Sequence, residues 1–228
     1  LETGRTPEEQ ADAMAALLDH LGIDKAAVIG ASGGGPFALQ FALRHPHRLS
    51  ALVMFCAITR RMPPRRRSAR HKRLLASAVG PWLLDLLSAF MHILLRFRTE
   101  RFARRVFRGT TSPTVATSEI HNTAATMMQH PDQVSIFKGI IAGMLPLSAR
   151  IAGIWNDEEQ IALLPDSPLE QIKAPMLVIH GREDAVVGFD HAETVANKVA
   201  GAAVHTIERW GHFIWVGEHS PRMRSTLV

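Results

Sequence analysis

An apolar run, Ala26 Ala27 Val28 Ile29, ends in Gly30 Ala31 Ser32 Gly33 Gly34 Gly35 and passes without a spacer into Pro36 Phe37 Ala38 Leu39 Gln40 Phe41 Ala42 Leu43. The pattern predicts a buried strand, a GxSxG turn and a helix. A serine on so tight a strand-to-helix turn needs flanking residues without side chains, and glycines there leave the Ser32 hydroxyl standing at the carboxyl edge of a sheet. The next amide, that of Gly33, opens the helix, where unpaired N–H groups and the helix dipole favour a developing oxyanion. A glycine-rich turn between strand and helix also cradles phosphates in nucleotide-binding folds. Here no lysine follows the glycines, and GASGGG lacks the GxGxxG spacing.

A serine hydroxyl is a weak nucleophile until a histidine takes its proton and a carboxylate holds that imidazole in the right tautomer. Downstream, Ala174 Pro175 Met176 Leu177 Val178 Ile179 His180 Gly181 reads as a parallel strand leaving through a glycine, followed by Arg182 Glu183 Asp184. A helix-like stretch, His191 to Ala200, leads to a short strand, Ala203 Val204 His205 Thr206 Ile207, and then to Glu208 Arg209 Trp210 Gly211 His212 Phe213. The elbow at Ser32 followed by an acid and then a Gly-His pair, each past a strand, resembles the α/β-hydrolase superfamily. The resemblance implies a mostly parallel sheet and a catalytic triad of Ser32, Asp184 and His212, with Gly33 giving part of the oxyanion hole. It implies no cofactor.

Each assignment has a competitor. Glu183 and Asp190 are the other acids near the third strand, and the GxxD spacing from Gly181 selects Asp184. Some relatives carry the acid after the preceding strand, but Leu49 to Phe55 is followed by Cys56 Ala57 Ile58 Thr59 Arg60 Arg61, with no carboxylate before Asp85. Of 12 histidines, His45, His47, His71, His121, His130 and His219 lie in polar surroundings, His180 and His205 read as strand residues, and His212 alone joins Gly-His to the terminal loop. The single cysteine, Cys56, forms no internal disulfide and reads as a buried thiol, and no His/Cys cluster has metal-ligand spacing.

Thr6 Pro7 Glu8 Glu9 has the N-cap, first-turn proline and capping glutamate of a helix start, and that helix runs through Ala13, Leu17 and Leu18 to Gly22. In the superfamily the corresponding helix follows four strands and another helix, so the resemblance implies that the first strands are missing and that the chain is an N-terminally truncated piece. The missing segment would include the loop that donates the second oxyanion amide. The strands expected here are Ala26 to Ile29, Leu49 to Phe55, Pro175 to His180 and Ala203 to Ile207, joined by right-handed crossovers, with the first at an apolar edge. The expected organisation is a partial α/β core, residues 1–56 and 168–228, interrupted by a helical cap, 57–167. Cap helices are expected over Pro81 to Phe97, Ala116 to Gln129, Pro131 to Met144 and Leu147 to Leu164. The first is apolar on nearly every face and calls for burial, either lining an acyl pocket through Phe90 or serving structure alone, and the last carries the polar pair Asn156 and Asp157, which reads as a surface face before it reads as a pocket wall.

The whole chain carries +5, yet Arg60 to Arg108 alone holds fourteen Lys or Arg against two acids, Asp85 and Glu100. Arg outnumbers Lys about fourfold across the chain, which compositional bias produces as readily as function. The sequence thus leaves two readings of the basic insertion, a solvated surface and weak contact with anionic membrane. It has no nucleic-acid-binding module or aromatic platform. The expected activity is hydrolysis of a small carboxylic ester through an acyl-enzyme on Ser32. The alternatives on the same triad are carbon–carbon, lactone or amide hydrolysis and cofactor-free haloperoxidation, and beside them stands a non-catalytic ligand-binding member or an inactive fragment. A cytoplasmic location is expected, with a leader peptide left open by the absent start.

Overall fold

The apolar run before Ser32 forms an edge strand, β1 (Ala26–Ala31), and it pairs in parallel with β2 (Leu49–Phe55). β2 pairs with β3 (Met176–Gly181), and β3 with β4 (Ala203–Ile207), all in parallel, so the sheet order follows the chain, β1-β2-β3-β4. This computed structural model describes residues 4–63, 75, 77–218 and 220. His71, His219 and six of the basic residues, Arg65, Arg66, Arg67, Arg70, Lys72 and Arg73, lie outside them.

Strand alternation divides the apolar residues between two cores. Val28, Leu52, Met54, Met176 and Val178 face one way. They pack against Ala11 and Leu18 of α1 (Pro7–His20), Leu39 and Phe41 of α2 (Gly35–Arg44), and Ala192 and Val195 of α8 (Asp190–Lys198). Phe55, Ile179 and Ile207 join the second core, around Phe107, Phe137, Trp210 and Phe213. α1 begins as the sequence implies: the Thr6 hydroxyl accepts from the Glu9 amide at 3.2 Å and Pro7 takes the first turn, where its missing N–H costs nothing. The Glu9 carboxylate accepts from the Arg5 amide (2.7 Å), one residue outside the usual capping box. α1 is tied to α2 by Asp12, whose carboxylate accepts from Arg44 and from His45. The hydrogen bond from Arg44, and then that from His45, lower its pKa to about 2.

Between β2 and β3 the chain makes five described helices: α3 (Gly80–Phe97), α4 (Thr99–Thr110), α5 (Thr117–Met128), α6 (Pro131–Gly143) and α7 (Leu147–Leu163). Four of these match the sequence expectation within a residue at each end. α4 does not appear in that reading, because its Arg-rich sequence has a single acid and no capping side chain at its start. It is nonetheless amphipathic, burying Ala103 and Phe107, and its exposed face carries the arginines. The basic stretch is also less uniform than its composition. Arg60 pairs with Asp190, Arg61 donates to the Leu164 carbonyl, Arg104 pairs with Glu100, and Arg108 donates to the Val115 and Thr111 carbonyls.

Candidate active site

β1 stops at Ala31, and Ser32 takes a positive φ of 50°, a left-handed conformation that an L-residue holds only when its surroundings impose it. The surroundings here are backbone. The Ser32 carbonyl accepts from the Ile58 amide (3.0 Å) and from Gly35 at the end of the turn. The glycines do unequal work. A Cβ on Gly30 would meet the Ala38 Cβ at 2.7 Å, and one on Gly35 would lie under 3 Å from the Ile58 carbonyl. Gly33 and Gly34 have no such neighbours within 4 Å. The sterically demanded pair is therefore Gly30, the first glycine of the GxSxG pattern, and Gly35 just past it, and not Gly34, the second glycine of that pattern.

The acid and histidine loops meet by the same means. A Cβ on Gly181 would lie under 3 Å from the Trp210 and Gly211 carbonyls, and one on Gly211 would collide with Thr111. The chain after α4 clamps both loops: the Thr110 carbonyl accepts from the His212 amide (3.1 Å) and the Ala185 amide (3.3 Å), and the Ser112 amide donates to the Glu183 carbonyl (2.8 Å). Sequence reasoning missed this clamp. It works entirely through main-chain atoms of Thr110, Thr111 and Ser112, which leave no side-chain signature.

At this junction the Ser32 hydroxyl lies 3.0 Å from His212 Nε2, and His212 Nδ1 lies 2.7 Å from Asp184 Oδ2. Asp184 Oδ1 accepts from the Val186 and Val187 amides at 2.8 and 2.9 Å. With that oxygen anchored, the other faces the imidazole, and its charge fixes the Nδ1–H tautomer that leaves Nε2 open to the serine proton. Asp184 and His212 are buried. The competing acids are spent elsewhere: Glu183 accepts from the Thr114 hydroxyl (2.7 Å), and Asp190 pairs with Arg60.

Two further buried groups border Asp184. His180 donates from Nε2 to the Val187 carbonyl (2.9 Å), with that nitrogen 3.6 Å from Asp184 Oδ2. Burial lowers its pKa, so it stays neutral and leaves the Asp184 charge to His212. Cys56, with a positive φ of 41°, brings its thiol within 4.8 Å of the Asp184 and His212 ligand atoms. Burial, and then the negative charge of Asp184, push that thiol well above its ordinary pKa. A protonated thiol, and a carboxylate and imidazole already hydrogen-bonded to each other, suit proton holding better than metal ligation.

Ser32 and Gly33 open into a pocket of about 350 Å³ lined by Ile58, Met62, Met144, Ile154, Ile161 and Val187, with Asp157 and Glu158 also on its wall. α7 supplies four of these, so it is α7, not α3, that faces the serine. Phe90 points away and is 55% exposed, and the expectation that it lines the acyl pocket is corrected. Of the polar pair on α7, Asp157 reaches the pocket, whereas Asn156 donates to the Arg5 carbonyl (2.8 Å).

A sequence model of the alpha/beta hydrolase fold matches residues 5–217. The chain belongs to the alpha/beta hydrolase family. This hydrolase is 26% identical over 99% of its length to "Uncharacterized hydrolase YcgS" of Bacillus subtilis, of which it spans 77%. It is also 26% identical over 89% of its length to the 2-hydroxy-6-oxo-6-phenylhexa-2,4-dienoate hydrolase of Burkholderia cepacia, of which it spans 62%. Among solved structures, an alpha/beta hydrolase fold protein from Nakamurella multipartita superposes with a TM-score of 0.80 at 28% identity, over 98% of this chain and 75% of that one.

Proposed function

We propose that this hydrolase cleaves neutral carboxylic esters through an acyl-enzyme on Ser32. The observation that carries the reading is the unbroken hydrogen-bonded line from the Ser32 hydroxyl through His212 to Asp184 at the mouth of an apolar pocket. In this scheme His212 Nε2 takes the Ser32 proton as Oγ attacks the ester carbonyl, and the Gly33 amide receives the oxyanion. The imidazolium, held by Asp184, returns the proton to the leaving alcohol. Water then enters, gives its proton to His212 and attacks the acyl carbon, and collapse frees the acid and Ser32. No cofactor takes part, and the helical insertion acts as a cap over the acyl chain.

Names among the relatives favour a second reading, hydrolysis of a carbon–carbon bond beside a ketone, since several of them are called hydroxy-oxo-dienoate or hydroxymuconate semialdehyde hydrolases. Such substrates carry a carboxylate. The described part of the pocket lining is mainly apolar and carries the Asp157 carboxylate, which favours a neutral ester over an anion. The two readings separate in one comparison. The expected result is turnover of p-nitrophenyl esters well above that of a 2-hydroxy-6-oxo-dienoate, labelling of Ser32 by a fluorophosphonate, and loss of label in Ser32→Ala. Labelling that persists in Ser32→Ala refutes the nucleophile, and a dienoate preferred over esters refutes the substrate class.

A further inference from the structure

Helix α3 is apolar on two opposite faces. Leu84, Ser88, Met91 and Leu95 turn inward, and the Ser88 hydroxyl accepts from the Leu147 amide at the start of α7 (2.9 Å). Trp82, Leu86, Phe90, Ile93 and Phe97 follow one another at helical spacing along the outer face, exposed by between 55% and 70%. Asp85, His92 and Arg96 make a narrow polar line between the two faces. A contiguous apolar stripe this long in water marks a surface that is covered in use.

The charge around the stripe says by what. The Arg96 guanidinium stands 5.6 Å from the Phe97 ring centre, and Arg96 and Lys138 flank a groove of about 410 Å³ that runs along Ile93, Phe97 and Ala142. Arg98, between α3 and α4, and Arg101 and Arg105 on α4 are exposed, within a stretch that holds fourteen cations and two acids. A second copy of this surface would set cation against cation. We propose that α3 lies in the interface of an anionic phospholipid bilayer, with Trp82, Leu86, Phe90, Ile93 and Phe97 sunk among the upper acyl carbons and Arg96 and Lys138 at the phosphates. The helix rests in the membrane plane and does not cross it. At 18 residues it spans roughly 27 Å, short of the ~30 Å hydrocarbon core, and its inner face is committed to the protein. α3 packs on α7, and α7 supplies Ile154 and Ile161 to the Ser32 pocket, so docking sets that pocket one helix layer from the lipid.

Co-sedimentation of the whole chain with vesicles of phosphatidylcholine, alone or mixed with phosphatidylserine, tests this. It reads binding rather than turnover, so it stands or falls apart from the role given to Ser32. The chain is expected to pellet with the mixed vesicles at least ~10-fold more strongly than with neutral ones, and less so as salt rises. The Trp82 emission should shift to the blue on binding, a shift absent from Trp82→Phe. Phe90→Asp should weaken binding at least ~10-fold while its circular dichroism stays that of the parent. Arg96→Gln with Lys138→Gln should weaken binding to the mixed vesicles alone. Equal binding to both vesicle types, or Phe90→Asp binding like the parent, overturns the proposal. A concentration-dependent dimer in light scattering that Phe90→Asp dissolves gives the face to a second copy instead, and equally overturns it.

Discussion

Around the sheet, backbone touches backbone. Gly30, Gly35, Gly181 and Gly211 each stand where a Cβ would collide, three of them with main-chain atoms of a different loop. In the helical insertion, Gly80 at the start of α3 is crowded by the Leu75 main chain, but Gly109, Gly139, Gly143 and Gly153 have nothing within 4 Å of that position. The difference is one of how the parts are joined. The three loops that bring Ser32, Asp184 and His212 together interlock through carbonyls and amides, which cannot move without breaking several hydrogen bonds at once. The helices of the insertion meet through side chains, which can be exchanged for others of similar volume. The line from Ser32 through His212 to Asp184 therefore sits on the inflexible half and the pocket wall on the adaptable one.

The largest expected effect sets a charge on one half against a charge on the other. Asp184→Asn keeps an oxygen for the Val186 and Val187 amides but presents an amide group to His212 and reverses its tautomer. A loss of about 10⁴-fold in kcat on p-nitrophenyl esters is expected, with Tm little changed. Asp157→Asn, on the pocket wall, should cost less than ~3-fold, in line with a carboxylate that shapes binding and takes no proton. Comparable losses for the two would remove the division between the halves.

Next come the elbow glycines. Gly35→Ala forces a methyl into the carbonyl of Ile58, a residue whose amide is tied to the Ser32 carbonyl, and should destabilise by about 3 kcal/mol in urea unfolding. Gly34→Ala, one residue earlier with a helical φ of −77°, should be within about 0.5 kcal/mol of the parent. If the two substitutions cost the same, crowding is not what holds the turn.

These contacts explain what could be read in advance. Ser32, Asp184 and His212 were legible because each follows a strand that ends in crowded glycine or leads through one, and crowding leaves a trace in the sequence. β2 and β4 were legible to the residue, as short apolar runs between turn signals. β1 runs on to Ala31, because its last two pairings, to Met54 and Phe55, are set by the neighbouring strand rather than by its own residues. α4 was passed over for want of a cap, although Ala103 and Phe107 recur at helical spacing, and the Thr110–Ser112 clamp was illegible, because main-chain hydrogen bonds need no particular side chain. The role of α3 was misread because an apolar helix looks the same whether its second face meets a pocket or the outside.

A smaller effect lies at the seam between the halves. His191, on α8, accepts the Thr59 amide at Nδ1 (3.0 Å), and the Thr59 hydroxyl donates to the His191 carbonyl (2.8 Å), just past the Ile58 that seats the elbow. Burial, and then the charge of Arg60, lower its pKa to about 4. The folded state thus disfavours a proton that the unfolded chain takes up near 6.5. The stabilisation is complete above about pH 6.5 and is lost as pH falls towards 4. His180, also lowered by burial, adds in the same direction. His191→Asn, whose amide oxygen can take the Thr59 hydrogen bond without titrating, should reduce the fall in Tm between pH 7 and 5 by about 5 °C. An unchanged pH profile would place the acid sensitivity elsewhere.

The smallest effect is a difference in acyl-chain preference between two apolar helices that the sequence makes look alike. Ile154 on α7 reaches the pocket beside Ser32, whereas Phe90 on α3 lies outside it and is exposed. Ile154→Ala enlarges the far wall by three methyl or methylene groups, each able to contribute discrimination through the space it fills. It should shift the ratio of kcat/KM for octanoate over butyrate p-nitrophenyl esters by about 10-fold towards the longer chain. Phe90→Ala removes a larger group from a position with no path to the serine and should leave that ratio within ~2-fold in vesicle-free buffer. A shift with Phe90→Ala that matched that of Ile154→Ala would mean that α3 turns its outer face to the substrate, and would return the acyl pocket to the helix that the sequence first suggested.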